Sequence, residues 1–249
     1  LVNKADKTEL TNAKEALSTL TTETDPTTGK TADSAKAYND AKTAAQEAIK
    51  EAETVINDEN ATPEQVTAAL NKINEKKAAL ESAKQALVEA ATTEEKAKLK
   101  ADLLTKADEI GKTPDSIAAY ERKYEELKEQ LEAAKAEAEK VLAKGNNATK
   151  EEVKAAQAEV DAAKTALDKV AELLKDLDRD AAKKEIADVA KKATDAIEAS
   201  TSLTPEQKAE EKAKVAKEAK DATDAIDNAT TEEGINSAKE NGKLAIEKE

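Results

Sequence analysis

Thr31-Ala-Asp-Ser-Ala-Lys-Ala-Tyr38 returns later in the chain as Thr113-Pro-Asp-Ser-Ile-Ala-Ala-Tyr120. A second pair of anchors follows in the same order, Asn60-Ala-Thr-Pro-Glu-Gln-Val66 and Asn147-Ala-Thr-Lys-Glu-Glu-Val153. Self-similarity over this range marks a repeat architecture and decides how the rest of the chain is read. Between its anchors the second copy is longer by about one helical turn, an insertion that leaves an apolar stripe facing the same way.

Working outward, each copy resolves into three helical stripes. In the first copy these are Leu10, Ala13, Leu17 and Leu20; then Tyr38, Ala41, Ala45, Ala48, Ala52 and Val55; then Val66, Leu70, Ile73, Leu80 and Leu87. The last is a near-heptad series suited to shallow crossing angles. The second copy answers with Leu99, Leu103 and Ile110; Tyr120, Leu127, Leu131 and Val141; and Val153, Val160, Leu167, Val170 and Leu174. Beyond it come Ile186, Ala190, Ala193 and Ile197, then Ala216, Ala219, Thr223 and Ile226, then Ile235, Ala238, Gly242 and Ile246.

Helix starts carry capping signals. Thr62-Pro-Glu-Gln65, Thr149-Lys-Glu-Glu152 and Thr204-Pro-Glu-Gln207 each place Thr before the helix and an acid or amide three residues on. Thr92-Thr-Glu-Glu95 does the same and marks a kink or short break. Asp25-Pro-Thr-Thr-Gly29, Lys144-Gly-Asn-Asn147 and Ala199-Ser-Thr-Ser202 read as loops. Neither Gly nor Pro occurs between Lys150 and Ser200, so the last helix of the second module is expected to run through Leu177-Asp-Arg-Asp180 into the third.

The fold class expected is all-α: tandem three-helix bundles joined end to end into an elongated rod through such shared helices. The modules are expected at 1–91, 92–177 and 178–249. Helices of about 20–25 residues at 1.5 Å per residue would give a rod on the order of 100 Å.

Composition supports the same class. Charged residues make up 38% and aromatics 1%, with five Gly and four Pro in 249 residues, a bias toward long helices rather than a mixed domain. Much of the apolar fraction is Ala, so only thin cores are available. Each fully buried Leu, Ile or Val stabilises by roughly 1.5–3 kcal/mol, and Ala by far less. The third module is the most Ala-rich and is expected to be the weakest.

A net charge of −14 opposes binding to phosphate backbones or anionic membranes. Without His or Cys the ordinary zinc, iron–sulfur and thiol chemistries are closed. No cofactor or metal site is expected, and no apolar run is long enough to cross a membrane. A chain that begins at Leu1 and has no Met reads as a piece excised from a longer protein, with targeting signals outside it.

The two copies resemble FIVAR modules, three-helix repeats of cell-wall-anchored adhesins of Gram-positive bacteria. The resemblance rests on Ser34-x-x-x-Tyr38 and Ser116-x-x-x-Tyr120 and on the Asn-Ala-Thr turns at 60–62 and 147–149. Residues 178–249 resemble a companion helical repeat of unknown function, through Leu203-Thr-Pro-Glu-Gln207, Ala225-Ile-Asp-Asn-Ala-Thr-Thr231 and Ala238-Lys-Glu-Asn-Gly242. The longer middle helix of the second copy, with Tyr124 beside Tyr120, departs from the pattern.

This resemblance implies an extracellular, wall-attached stalk or adhesive region, monomeric, with a host extracellular-matrix or plasma protein as partner. The charge and the lack of a long apolar run argue against nucleic-acid binding and membrane insertion. The other reading is an accessory segment of a secreted multidomain glycosidase, although the lack of Trp removes the usual stacking platform for sugars.

Candidate sites are few. The Glu pairs at 94–95, 125–126, 151–152, 210–211 and 232–233 are sequence neighbours and do not face each other on a helix. They read as solvated faces or first-turn dipole partners rather than acid/base machinery. Asp58-Glu-Asn60 lacks the Gly and ligand rhythm of a calcium loop and reads as a helix-ending turn. Tyr38 and Tyr120 read as caps on the bundle core, with hydroxyls reaching water or a loop. Tyr124, without a counterpart in the first copy, reads as exposed and available to a partner. Ser34, Tyr38, Ser116 and Tyr120 make up the structural motif.

Overall fold

The structure, a computed structural model, describes residues 4–248. The described residues hold nine α-helices and no strand: α1 Thr8–Thr21, α2 Ala32–Asn57, α3 Pro63–Gln85, α4 Thr93–Lys98, α5 Pro114–Leu142, α6 Lys150–Ala171, α7 Asp180–Ala199, α8 Pro205–Asn228 and α9 Glu232–Ile246. The chain is all-α. It divides into two compact units, one running to Leu103 and including Ala133–Asp161, the other formed by Leu104–Glu132 and the residues from Ala162 onward.

In the first unit α1, α2 and α3 pack on one another as a three-helix bundle. Its core holds the expected residues, with Leu10, Leu17, Ala45, Ala52 and Ile73 wholly shielded from solvent and Tyr38 and Leu80 nearly so. The buried face of α2 is mostly alanine, which gives little transfer energy but lets α1 and α3 come close. Leu87 lies past the end of α3 and only half-covers the core. The same unit buries Leu99, Ala134, Ala138, Val141, Val153, Ala156 and Val160.

In the second unit α7, α8 and α9 form another three-helix bundle. Ile186, Ile197, Val215, Ile226, Ile235 and Ile246 supply nearly all its large buried groups. The face of α8 is rotated from the expected one. Val215, Ala222 and Ile226 are buried, whereas Ala216 is exposed and Ala219 and Thr223 are half-buried. Val215, the largest apolar side chain in that stretch, sets the register.

Caps form where the sequence places them. Thr62, Thr92 and Thr204 each accept from the backbone N–H three residues on, and Gln65, Glu95 and Gln207 reach back to the cap N–H. Thr149 and Glu152 make the same reciprocal pair. Each such cap is worth about 0.5–2 kcal/mol and fixes where a helix begins.

Two further expectations fail. The helix expected to run from the second module into the third is interrupted: α6 ends at Ala171 and α7 starts at Asp180. Its residues favour a helix by only tenths of a kcal/mol each, and the intervening backbone is committed to hydrogen bonds with residues 111–116, given below. The stripe Leu99, Leu103 and Ile110 is likewise not a helix face. α4 stops at Lys98, a short 3₁₀ turn covers Ala101–Leu103, and Leu103 and Ile110 are 54% and 70% exposed. Leu99 and Leu104 are buried instead. The Ala107 N–H, which a helix would point at its own backbone, donates to the Tyr120 hydroxyl at 2.7 Å.

Candidate functional site

The motifs shared by the two copies converge on two backbone clasps, one in each unit. The first begins at Gly29, whose φ of +72° turns the chain in a region that favours glycine. This turn lays Lys30 antiparallel to Glu89. The Ala90 N–H donates to the Gly29 carbonyl at 2.9 Å, and the Thr31 N–H donates to the Val88 carbonyl at 2.8 Å. The Ser34 hydroxyl accepts the Val88 N–H at 3.2 Å and donates to the Thr31 carbonyl.

On the other side of the same extended segment lies the Asn147-Ala-Thr turn. The Ala91 N–H donates to the Ala148 carbonyl at 2.9 Å, and the Lys150 N–H donates to the Glu89 carbonyl at 3.1 Å. The Asn147 Oδ1 accepts the Asp33 N–H at 2.8 Å, so it satisfies an orphan donor at the start of α2. Residues 88–91 are therefore tied to backbone on both sides.

The second clasp repeats the first half of this arrangement. Gly111 has the same φ of +72°, and Lys112 lies antiparallel to Asp176. The Thr113 N–H donates to the Lys175 carbonyl at 2.8 Å, and the Leu177 N–H donates to the Gly111 carbonyl at 2.9 Å. The Ser116 hydroxyl accepts the Lys175 N–H at 3.0 Å and donates to the Thr113 carbonyl at 2.9 Å. Ser34 and Ser116 thus have the same task, and their spacing in the sequence follows from it.

A cation completes each packed set. Lys7 donates to the carbonyls of Ile56 and Asp58, at the end of α2. The Arg179 guanidinium donates to the carbonyls of Ile226 and Ala229, at the end of α8. Positive charge at a helix C-terminus satisfies orphan carbonyls and complements the macrodipole.

The carboxylates of these regions are held charged. Glu95 lies below the ordinary glutamate range because the Thr92 backbone N–H bonds its carboxylate. Glu152 does so through Lys144 first and the Thr149 N–H second. Lys112 holds Asp176 down, and Lys243 with Lys239 holds Glu185 down. Groups with depressed values stabilise the fold fully above their unfolded values, ordinarily 4.5 for Glu and 3.8 for Asp, and lose that contribution as pH falls through the folded ones. The urea midpoint is expected to hold steady from about pH 7 to about pH 5 and to fall below that. A decline already complete by about pH 5 would contradict this assignment.

The tyrosines divide as follows. Tyr38 and Tyr120 are buried. Tyr124 is half-buried rather than exposed, with its ring centroid 5.9 Å from that of Tyr120. Lys106 Nζ stands 5.7 Å from the Tyr124 ring centroid and pairs with Glu109 at 2.8 Å and with Glu121. These two carboxylates, Glu109 first, raise the Lys106 ammonium above its ordinary range. Of the Glu pairs, Glu95 and Glu152 act as capping-box residues. Asp58 accepts the Asn60 N–H in a helix-ending turn.

Sequence reading singled out Ser34 and Ser116 but missed their partners. The signal was present: Gly29-Lys-Thr31 recurs as Gly111-Lys-Thr113 directly before each motif. Ser116 is 6% exposed, and its replacement by Ala leaves the Lys175 N–H unpaired, at an expected cost of about 1–3 kcal/mol. Chemical denaturation measures the loss, with faster hydrogen exchange at Lys175 as its local sign. An unchanged midpoint would show that the hydroxyl is dispensable.

Among the described residues no helix is long and apolar enough to cross a membrane, and no cluster of acidic residues is placed to hold a metal ion. No solved structure matches the chain. Residues 13–81 and 83–168 match the FIVAR domain, and residues 178–248 match a domain of unknown function, DUF1542.

Proposed function

This chain belongs to the FIVAR family, and we propose that it is a non-enzymatic spacer which holds a more distant domain away from a bacterial cell wall. FIVAR and DUF1542 domains are modules of extracellular cell-surface proteins. The observation that carries the proposal is the repeated clasp: segments 88–91 and 175–177 are bonded to backbone rather than left as free linkers. A spacer whose connections are bonded transmits separation, whereas one with free hinges folds back.

The test is display on a cell surface between a wall anchor and an epitope tag. Antibody access to the tag is expected to rise when the chain is inserted and to rise again when it is duplicated. Access that ignores the insertion would sink the proposal.

The adhesive half of the proposal is weak binding of a host extracellular-matrix or plasma protein through helix faces, multiplied by repetition. Tyr124 is the contact residue proposed, because its half-exposed ring sits on α5 with the Lys106 ammonium 5.7 Å from its centroid. Surface plasmon resonance against fibronectin, fibrinogen, albumin and immunoglobulin is expected to give a response that Tyr124→Ala reduces while the melting temperature stays. Silence from all four would leave the spacer alone.

A further inference from the structure

The two clasps differ in one respect. In the first, the segment 88–91 has a neighbour on each side, Gly29–Thr31 and Ala148–Lys150. In the second, only the Gly111–Thr113 side is filled. The groups that face the missing neighbour can be read off by position. Asp178 corresponds to Ala91, Asp176 to Glu89 and Asp115 to Asp33.

In the first clasp the Ala91 N–H, the Glu89 carbonyl and the Asp33 N–H are bonded to Ala148, Lys150 and Asn147. In the second, the Asp178 N–H, the Asp176 carbonyl and the Asp115 N–H have no hydrogen-bond partner among the described residues. In the matching turn of the third bundle the Ala229 carbonyl is taken by Arg179. Space remains beside the open edge. Two adjoining grooves of about 510 and 380 Å³ share Thr113, Lys175 and Glu232 as lining.

We propose that the edge Asp176–Asp178 is a docking site for a short basic peptide of a partner protein, which makes the backbone bonds that the Asn147–Lys150 turn makes in the first clasp. Docking of this kind draws its affinity from main-chain hydrogen bonds, for which free N–H and C=O groups are the template. The charge follows from the lining. Asp115, Asp178 and Glu232 have no ion pair among the described residues, and Lys175 is the one lysine there in the same condition. Asp176 and Glu185 are already paired with lysines. The site goes beyond the spacer reading and stands whether or not that reading does.

The probe is the acetylated and amidated peptide Lys-Gly-Asn-Asn-Ala-Thr-Lys, the sequence of residues 144–150, titrated into the isotope-labelled full chain. Amide shifts are expected at Asp115, Asp176 and Asp178, with those of Asp33 and Ala91 unmoved, and hydrogen exchange at Asp178 is expected to slow. Methylating the backbone nitrogen of the peptide's last Lys removes the donor meant for the Asp176 carbonyl and is expected to weaken binding about tenfold, the equivalent of about 1.4 kcal/mol. Glu232→Lys in the chain is expected to weaken it further. Still amides at millimolar peptide, or equal binding of the methylated peptide, would overturn the proposal. Concentration-dependent self-association that moves the same amides without peptide would assign the edge to a second copy and overturn it too.

Discussion

Ile226→Ala is expected to unfold the α7–α9 bundle at a urea concentration well below that needed for the unaltered chain, through a loss of about 2–5 kcal/mol. Ile226 is wholly shielded from solvent; Ala222, one turn back on α8, and Ala229, just past the end of the helix, are both small. Small neighbours cannot swing in to fill the space, so the cavity persists and the cost lies toward the upper end. The same cluster has only a handful of other large groups, among them Ile186, Val215 and Ile246. A bundle of this size holds a few kcal/mol of net stability, so one truncation removes most of it. The α1–α3 bundle, which shares none of these residues, is expected to melt unchanged. Helical signal followed through a urea titration separates the two. A shift of less than about 1 kcal/mol would mean that the core is not where the structure puts it.

The second large effect opposes helix propensity. Alanine is better than glycine inside a helix by about 1 kcal/mol, and Gly242 sits inside α9. A Cβ at Gly242 would nevertheless stand 2.3 Å from the Ala222 Cβ and 3.0 Å from the Ile186 Cδ1. No pair of carbons tolerates the first distance, so α9 must move away from α8. Overpacking of this kind costs about 1–3 kcal/mol, enough to outweigh the propensity gain. Gly242→Ala is therefore expected to lower the midpoint, and adding Ala222→Gly is expected to restore most of it. Stabilisation by Gly242→Ala alone would show that the helices lie further apart. Gly242 lets α9 come close to Ala222 and Ile186, and the expectation that this is the weakest bundle rests on how Ala-rich its core is.

Much of the fold is readable from residue type. Leu10, Leu17, Ile73, Ile186 and Ile246 announce their burial by helical spacing, and the Thr caps fix helix starts to the residue. The rest is hidden for definable reasons. Glu172–Arg179 has a helix-forming composition without Gly or Pro, but bonds from Lys175–Leu177 to Gly111, Thr113 and Ser116 draw the chain out of the helix. Local propensity contains no trace of partners so distant in sequence. Leu99–Ile110 has an acceptable stripe, yet one buried hydroxyl, that of Tyr120, takes the Ala107 N–H. On α8 a residue-by-residue reading preferred Ala216, and the single larger group beside it, Val215, decided otherwise.

The candidate site was legible only as a motif. Ser34 and Ser116 recur because each bonds a backbone N–H donated from an extended segment. Two glycines at positive φ bring the other segment within reach. Backbone pairing leaves no side-chain pattern beyond the Gly-Lys-Thr triplets, which is why the serines could be seen and the clasps could not.

Hydrogen exchange of the full chain, read at single amides, addresses the clasps without altering them. Thr31, Ala90, Ala91, Thr113 and Leu177 donate the bonds in question. If the connections are bonded, these amides exchange as slowly as those in the last turns of the flanking helices, orders of magnitude below the rate of an open peptide. Exchange at the open-peptide rate for Ala90, Ala91 and Leu177, with the helices still protected, would show free linkers and end the case for a clasped spacer.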